Sequence, residues 1–386
     1  VPRLGHSPEL DGLRGVAVLL VVAYHALANR IGTLSSGLDL FFVLSGFLIT
    51  TLLLEEHETT GTVRVADFFR RRALRLLPAL YVYLAVNVAM AVAGSLGVPT
   101  LEGVWDLRTV AAESVAAVAY VYPVVLALWD QPSLLRMPHL HSLAQEEWFY
   151  AFWAPVMART LRRGRLRRTV QITLVVLGLL TLARVAMVFL GDPGLVGPLR
   201  PDMMFVGAMA AVGRRAWLAR PAAEIERSRP WIAAVGWLGT AGFVAANAGG
   251  WIDGERITIA AVTGTRLFAV FPLVAILVTP PTDVVRRVLR VRPLQWYGRL
   301  SYGVYLWHIT VLIWANGGAE LIEGTEKIEM NRPGWVFVAA ALGGGSLAAW
   351  ASHRLVERRF VAMARRYRPV PPPGSSDPVE GAVRPT

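Results

Sequence analysis

GLRGVAVLLVVAYHALA, residues 12–28, is apolar enough to enter a bilayer, yet it carries Arg14 near one end and His25 near the other. An α-helix turns 100° and rises 1.5 Å per residue, so positions eleven apart lie about 20° from alignment and roughly 16 Å apart along the axis. Arg14 and His25 therefore share one helix face at opposite depths. Ionisable residues inside a membrane are costly and turn towards a bundle interior or a water-filled cavity. Taken singly, Arg14 reads as a snorkelling cation and His25 as a satisfied interfacial histidine; together on one face they suggest a working pair. A signal peptide would show a clean apolar centre and a soluble chain behind it. Neither follows Ala26-Leu27-Ala28, so the first helix is expected to remain uncleaved.

The rest of the chain repeats the apolar character. Of 386 residues, 54% are hydrophobic and only 17% charged, more apolar surface than a soluble core needs. Apolar segments fall near 12–31, 38–54, 74–95, 110–129, 143–160, 169–190, 199–217, 231–249, 257–279, 297–316 and 334–352. The expected class is an all-α, polytopic membrane helical bundle. The formal charge of +12 comes almost wholly from arginine, Lys327 being the sole lysine. In a soluble chain it would suggest nucleic acid; here it maps onto loops. Basic residues collect at Arg64 with Arg70, Arg71, Arg72 and Arg75, at Arg159–Arg168, Arg214–Arg229, Arg286–Arg292 and Arg354–Arg368. If all five clusters face the cytoplasm, residues 94–142 stay outside. Segment 110–129, holding Glu113 and Pro123, is then re-entrant or interfacial. That arrangement predicts ten crossings, both termini cytoplasmic, in the plasma membrane. Residues 1–368 form the membrane domain, and 369–386, rich in Pro, Gly and Ser, form a disordered cytoplasmic tail with no room for an appended hydrolase-like domain. With no cysteine, disulfides, thiolate nucleophiles and thiolate-bound metals are excluded.

Polar residues within this frame sort by depth. Asp39 opens the second helix, with Ser45 and Gly46 deeper, where a Ser-Gly pair reads first as a close helix contact. His139, His141, Glu146 and Glu147 precede or open the fifth crossing, and Arg200 with Asp202 opens the seventh. Acidic residues at helix starts are favoured by the dipole alone. Ser301, Tyr305 and His308 recur at i, i+4, i+7 and form one stripe. Two chemical zones result. The outer one holds His25, Asp39, Glu146, Asp202 and His308, suited to proton abstraction from a hydroxyl near neutral pH. The inner one holds Arg14 and FFRRRALRLLP, suited to phosphate recognition. A donor with a phosphate-rich head inside and a reactive end reaching outward, the shape of acyl-coenzyme A, satisfies both.

These residues resemble the acyltransferase-3 family of membrane acyltransferases, whose first helix carries an Arg and a His with ten residues between them, as in LDGLRGVAVLLVVAYHA. FFVLSGFLI, RRRALRLLPALY, HSLAQEEWFY, RPDMMFVGAMAA, GRLSYGVYLWH and HRLVERRF continue the likeness in order, from residue 9 to about 360. The resemblance implies transfer of an acyl group, commonly acetyl, from acyl-CoA (acetyl-CoA) to a hydroxyl of a sugar, lipid or glycosylated metabolite. It makes His25 the catalytic histidine, Arg14 its motif partner, Arg71, Arg72 and Arg75 the coenzyme side, and Glu146 the family's acidic position. The chain departs at His141, where Trp is usual, and at Trp148, where Gln is usual; both bear on acceptor contacts. The expected mechanism has His25, oriented by Glu146 or Asp39, deprotonate the acceptor, with Ser45, Tyr302 or His308 near the oxyanion. A covalent acyl-histidine is its variant. Asp202 and Ser301 are supporting candidates. No metal is expected, although His139, His141 and Glu146 outline a rival metal site without an established ligand spacing. A proton-coupled transporter using the same Arg, His and acidic residues is the alternative.

Overall fold

The computed structural model describes residues 2–27, 36–99, 101, 105–128, 136–190, 201–248, 267–280, 282–316 and 334–367. Among them helices form all the regular structure and no strand occurs. The helices are α1 (Pro8–Ala26), α2 (Ser36–Thr60), α3 (Val65–Ser95), α4 (Leu107–Val118), α5 (Tyr122–Leu128), α6 (Leu140–Arg162), α7 (Leu166–Leu190) and α8 (Asp202–Leu218). They continue with α9 (Ala222–Ala248), α10 (Phe271–Val278), α11 (Val284–Leu289), α12 (Arg292–Ala315), α13 (Gly334–Ser352) and α14 (Arg358–Ala364). The tail 369–386, the acidic stretch 317–333, Arg200 and residues 257–266 of segment 257–279 lie outside the described residues.

Four helical segments among the described residues are long and apolar enough to cross a membrane: Ser36–Thr60, Val65–Ser95, Leu166–Ala183 and Gly334–Tyr367. The chain is thus a multi-pass membrane protein, though length and apolarity single out fewer helices than the ten crossings expected. Glu9, Asp11 and Arg14 in the first turns of α1 show why: a helix that lines a polar interior loses apolarity without losing its place in the bundle. Segment 110–129 is broken, as a non-spanning element requires. Its two helices are 12 and 7 residues long, and Tyr120 between them has φ +57°. At 1.5 Å per residue neither reaches across roughly 30 Å of hydrocarbon.

Helix α1 sits at the centre. Its Leu10, Leu13 and Ala17 join an apolar cluster with α2, α6 and α8 around Phe47, Phe149, Trp153 and Phe205. Its Val18, Val22 and Ala26 join a second cluster with α3, α12 and α13 around Tyr83, Leu306 and Phe337. Between lipid-solvated helices the hydrophobic effect supplies little attraction, so close packing of small residues must. A Cβ on Gly12 or Gly15 would strike the Leu289 or Leu294 carbonyl, and one on Gly298 would strike that of Asp11. The α2–α8 crossing is reciprocal: a Cβ on Gly46 would meet the Met204 carbonyl oxygen, and one on Gly207 that of Val43. The close-contact reading of Ser45-Gly46 is borne out at Gly46. Gly46→Val is therefore expected to lower stability by about 3 kcal/mol, the upper range for overpacking. Thermal unfolding in detergent measures it, and an unshifted midpoint would contradict this crossing.

Candidate functional site

The site is built from the two ends of α1. At the His25 end, Nδ1 lies 3.0 Å from the Val21 carbonyl oxygen one turn back and 3.2 Å from Nε2 of His308 on α12. The two rings stand 5.1 Å apart. His308 is wholly buried, its Nδ1 2.6 Å from the Tyr305 carbonyl oxygen. His139, immediately before α6, adds a third ring 5.3 Å from His308 and places Nε2 3.1 Å from the Leu306 carbonyl. The Tyr305 hydroxyl donates to the His139 carbonyl at 2.7 Å and pairs with Ser142 at 2.6 Å. Thr310 Oγ1 of α12 lies within hydrogen-bond distance, 3.1 Å, of both the Tyr83 hydroxyl and the Asn87 side-chain oxygen of α3.

The approach to α6 is held by a buried acid. Glu113 of α4 accepts the Tyr122 hydroxyl and the backbone N–H groups of Arg136 and Met137, at 3.0 and 2.7 Å. Each bond satisfies a donor that burial would otherwise strand, and together they fix the chain two residues before His139.

At the Arg14 end, α3 and α6 close the site. The Arg72 guanidinium lies 3.7 Å over the Tyr150 ring, 3.4 Å from Glu147 and 3.9 Å from Glu146. Glu146 accepts from Ser45 at 3.0 Å and from the Tyr150 hydroxyl at 3.1 Å. Arg14 is within electrostatic range of Glu146, Asp11, Tyr150 and Arg72, and Arg75 within range of Arg14, Arg72, Tyr150 and Asp11. Three guanidiniums thus share one neighbourhood with three carboxylates and a tyrosine. Arg72 Nε has no hydrogen-bond partner among the described residues.

Several expected residues take unexpected places. Glu146, read as an outer-zone partner of His25, is instead engaged by Ser45, Tyr150 and Arg72. The reason is depth. Seven residues of helix below His139 lower Glu146 by roughly 10 Å, level with the arginines of α3. Ser45 follows it to that end. Arg71 turns to Glu56 at 2.8 Å and to the Tyr367 carbonyl at 2.5 Å, tying α2 and α3 to the C-terminal turn. Arg64 N also bonds Glu56, at 2.8 Å, closing the α2–α3 turn where Gly61 has φ +72°. Asp39 and Asp202 are buried in the first turns of α2 and α8, the latter accepting from Met203 N at 2.9 Å. Ser301 is buried, and Tyr302 donates to the Leu76 carbonyl at 3.1 Å. His141 Nδ1 lies 2.7 Å from the Pro138 carbonyl. Among the described residues no group of three or more His, Cys, Asp or Glu is placed to hold a metal ion.

Tyr150, Tyr83, Asn87 and Thr310 escaped the sequence reading. Tyr150 alone left a signal there, standing one helical turn beyond Glu146. The others sit within apolar runs and gain meaning only from the facing helix.

Comparison with known proteins identifies the family. The family described as Acyltransferase domain, acyltransferase-3, matches residues 7–353. The O-acetyltransferase OatA of Staphylococcus aureus, in strains NCTC 8325 / PS 47 and COL, is similar, at 28% identity over 324 residues. Those residues are 81% of this chain and 51% of each relative, so the match spans about half the relatives' length. No solved structure matches.

Proposed function

The chain belongs to the acyltransferase-3 family, and on that footing we propose that it is a membrane O-acyltransferase moving an acetyl group from acetyl-CoA to a hydroxyl of a carbohydrate, glycolipid or glycosylated metabolite. One observation carries the reading: a single helix delivers Arg14 to the guanidinium cluster and His25 to the histidine cluster. The two lie roughly 16 Å apart along its axis, a span the pantetheine arm of coenzyme A can bridge. The cluster suits the donor's phosphates, because guanidinium forks pair with phosphate oxygens in two parallel bonds. The unpartnered Arg72 Nε is a donor open to such a bond.

In the proposed reaction, His25 takes the proton of the acceptor hydroxyl as its oxygen attacks the thioester carbonyl. The tetrahedral oxyanion collapses with loss of the C–S bond. The departing thiolate then recovers the proton from His25, leaving an ester and free coenzyme A. Arg14, Arg72 and Arg75 hold the donor, while Arg71 braces α3 beside them through Glu56 and Tyr367. We orient the arginine end towards the cytoplasm, where acyl-CoA is made, in a plasma membrane with cytoplasmic termini.

Thermal unfolding with acetyl-CoA, CoA and dephospho-CoA tests the donor. A ligand at a hundred times its Kd stabilises the native state by about 2.7 kcal/mol. Acetyl-CoA and CoA are expected to approach this value, and dephospho-CoA to fall short. Folded protein that responds to none of them would overturn the assignment and favour a transporter using the same residues.

A further inference from the structure

We propose that His308 is the positioning residue of His25, occupying with an imidazole nitrogen the place that a carboxylate takes beside the histidine of a Ser-His-Asp triad. The proposal rests on the reading of His25 as the base. It follows from which atoms can donate. A carbonyl oxygen only accepts, so His308 Nδ1, 2.6 Å from the Tyr305 oxygen, carries its ring's proton, and Nε2 is left bare. By the same rule His25 Nδ1, 3.0 Å from the Val21 oxygen, carries the proton of its own ring. That N–H also stands 3.2 Å from the bare His308 Nε2 and is shared between the two acceptors. With both rings neutral this assignment alone satisfies all three contacts. It leaves His25 Nε2 with a free lone pair.

The pair is therefore unsymmetrical. Both nitrogens of His308 are engaged and its side chain is fully buried, whereas His25 is partly exposed and keeps one nitrogen for a substrate. When His25 Nε2 takes a proton, the Nδ1–H of the imidazolium still points at two acceptors, so the ring need not turn. His308 is itself held in place. Its ring packs against those of His25, His139 and Tyr305 at 5.1, 5.3 and 5.5 Å, and Gly345 lies against its Cα and Cβ. A neutral acceptor does this without burying a charge among apolar helices, which a carboxylate would.

The test uses the full chain in detergent. Diethyl pyrocarbonate acylates a bare imidazole nitrogen, and peptide mass mapping locates the product. His25 is expected to react before His308, which is protected; faster labelling of His308 than of His25 overturns the proposal. Transfer is then followed as label moving from radiolabelled acetyl-CoA into the carbohydrate of membranes containing each variant. His308→Ala is expected to lower kcat by about tenfold to a hundredfold, with the KM for acetyl-CoA within about twofold. His308→Gln returns a side-chain oxygen near the Nε2 position and is expected to recover most of the loss. Wild-type kcat in the alanine variant, or a glutamine variant no better than alanine, overturns the role of His308. Transfer surviving in His25→Ala overturns instead the reading of His25 on which it rests.

Discussion

Removal of the His25 imidazole, as His25→Ala, is expected to cut acyl transfer by about 10²–10⁴-fold, the contribution of a positioned general base. Stabilisation by acetyl-CoA should persist. The two readouts separate because His25 stands at the opposite end of α1 from the arginines, roughly 16 Å away, and its hydrogen bonds run to Val21 and His308. Folding should tolerate the change. His25 is partly exposed, and its loss leaves the Val21 carbonyl within the α1 ladder and strands only His308 Nε2. Label transfer from acetyl-CoA and a thermal shift on one preparation decide the matter. Retained transfer would remove His25 as the base; loss of both signals would mean the two ends of α1 are not independent.

The second large effect is expected at Arg72. Its guanidinium faces Glu147 and Glu146 and lies over Tyr150, so Arg72→Ala removes the ion-pair partner of Glu147 and leaves Glu146 only the Arg14 charge within range. Breaking a buried pair by deleting one partner typically costs about 3–5 kcal/mol; at 19% side-chain exposure Arg72 should fall at the lower end. Donor-induced stabilisation should vanish as well. Arg72→Lys keeps the charge but loses the planar fork and its stacking on the ring, since a lysine ammonium is a compact point charge. It should fold near wild type yet weaken CoA binding by about tenfold, one lost charge-assisted contact of about 1.4 kcal/mol. Thermal unfolding gives the first quantity and titration with CoA the second. A lysine variant binding CoA like wild type would remove Arg72 from the donor site.

Together these residues describe a division of labour along one helix. The Arg14 end is crowded with opposite charges held in mutual reach, which suits the charged head group proposed for the donor. The His25 end is built of imidazoles, hydroxyls and carbonyls, with no carboxylate hydrogen-bonded to His25 or His308 among the described residues. It can move a proton without holding a fixed charge.

Much of this was readable along the chain. Hydrophobic runs marked the helices, because a backbone in lipid must satisfy its own hydrogen bonds and only apolar side chains can cover it. The 3.6-residue period placed Arg14 and His25 on one face and aligned Ser301, Tyr305 and His308. The break in segment 110–129 was foreshadowed by the charge balance of its flanks. Tertiary structure alone decided which faces meet. His25 and His308 are 283 positions apart, and Ser45 and Glu146 are 101 apart. Helical periodicity says which way a side chain points from its own axis, but not which helix stands opposite or at what depth. Close glycine contacts bring α1 against α12 and α2 against α8. Those crossings set His308 rather than a carboxylate beside His25, and they lowered Glu146 from the histidine end to the arginines.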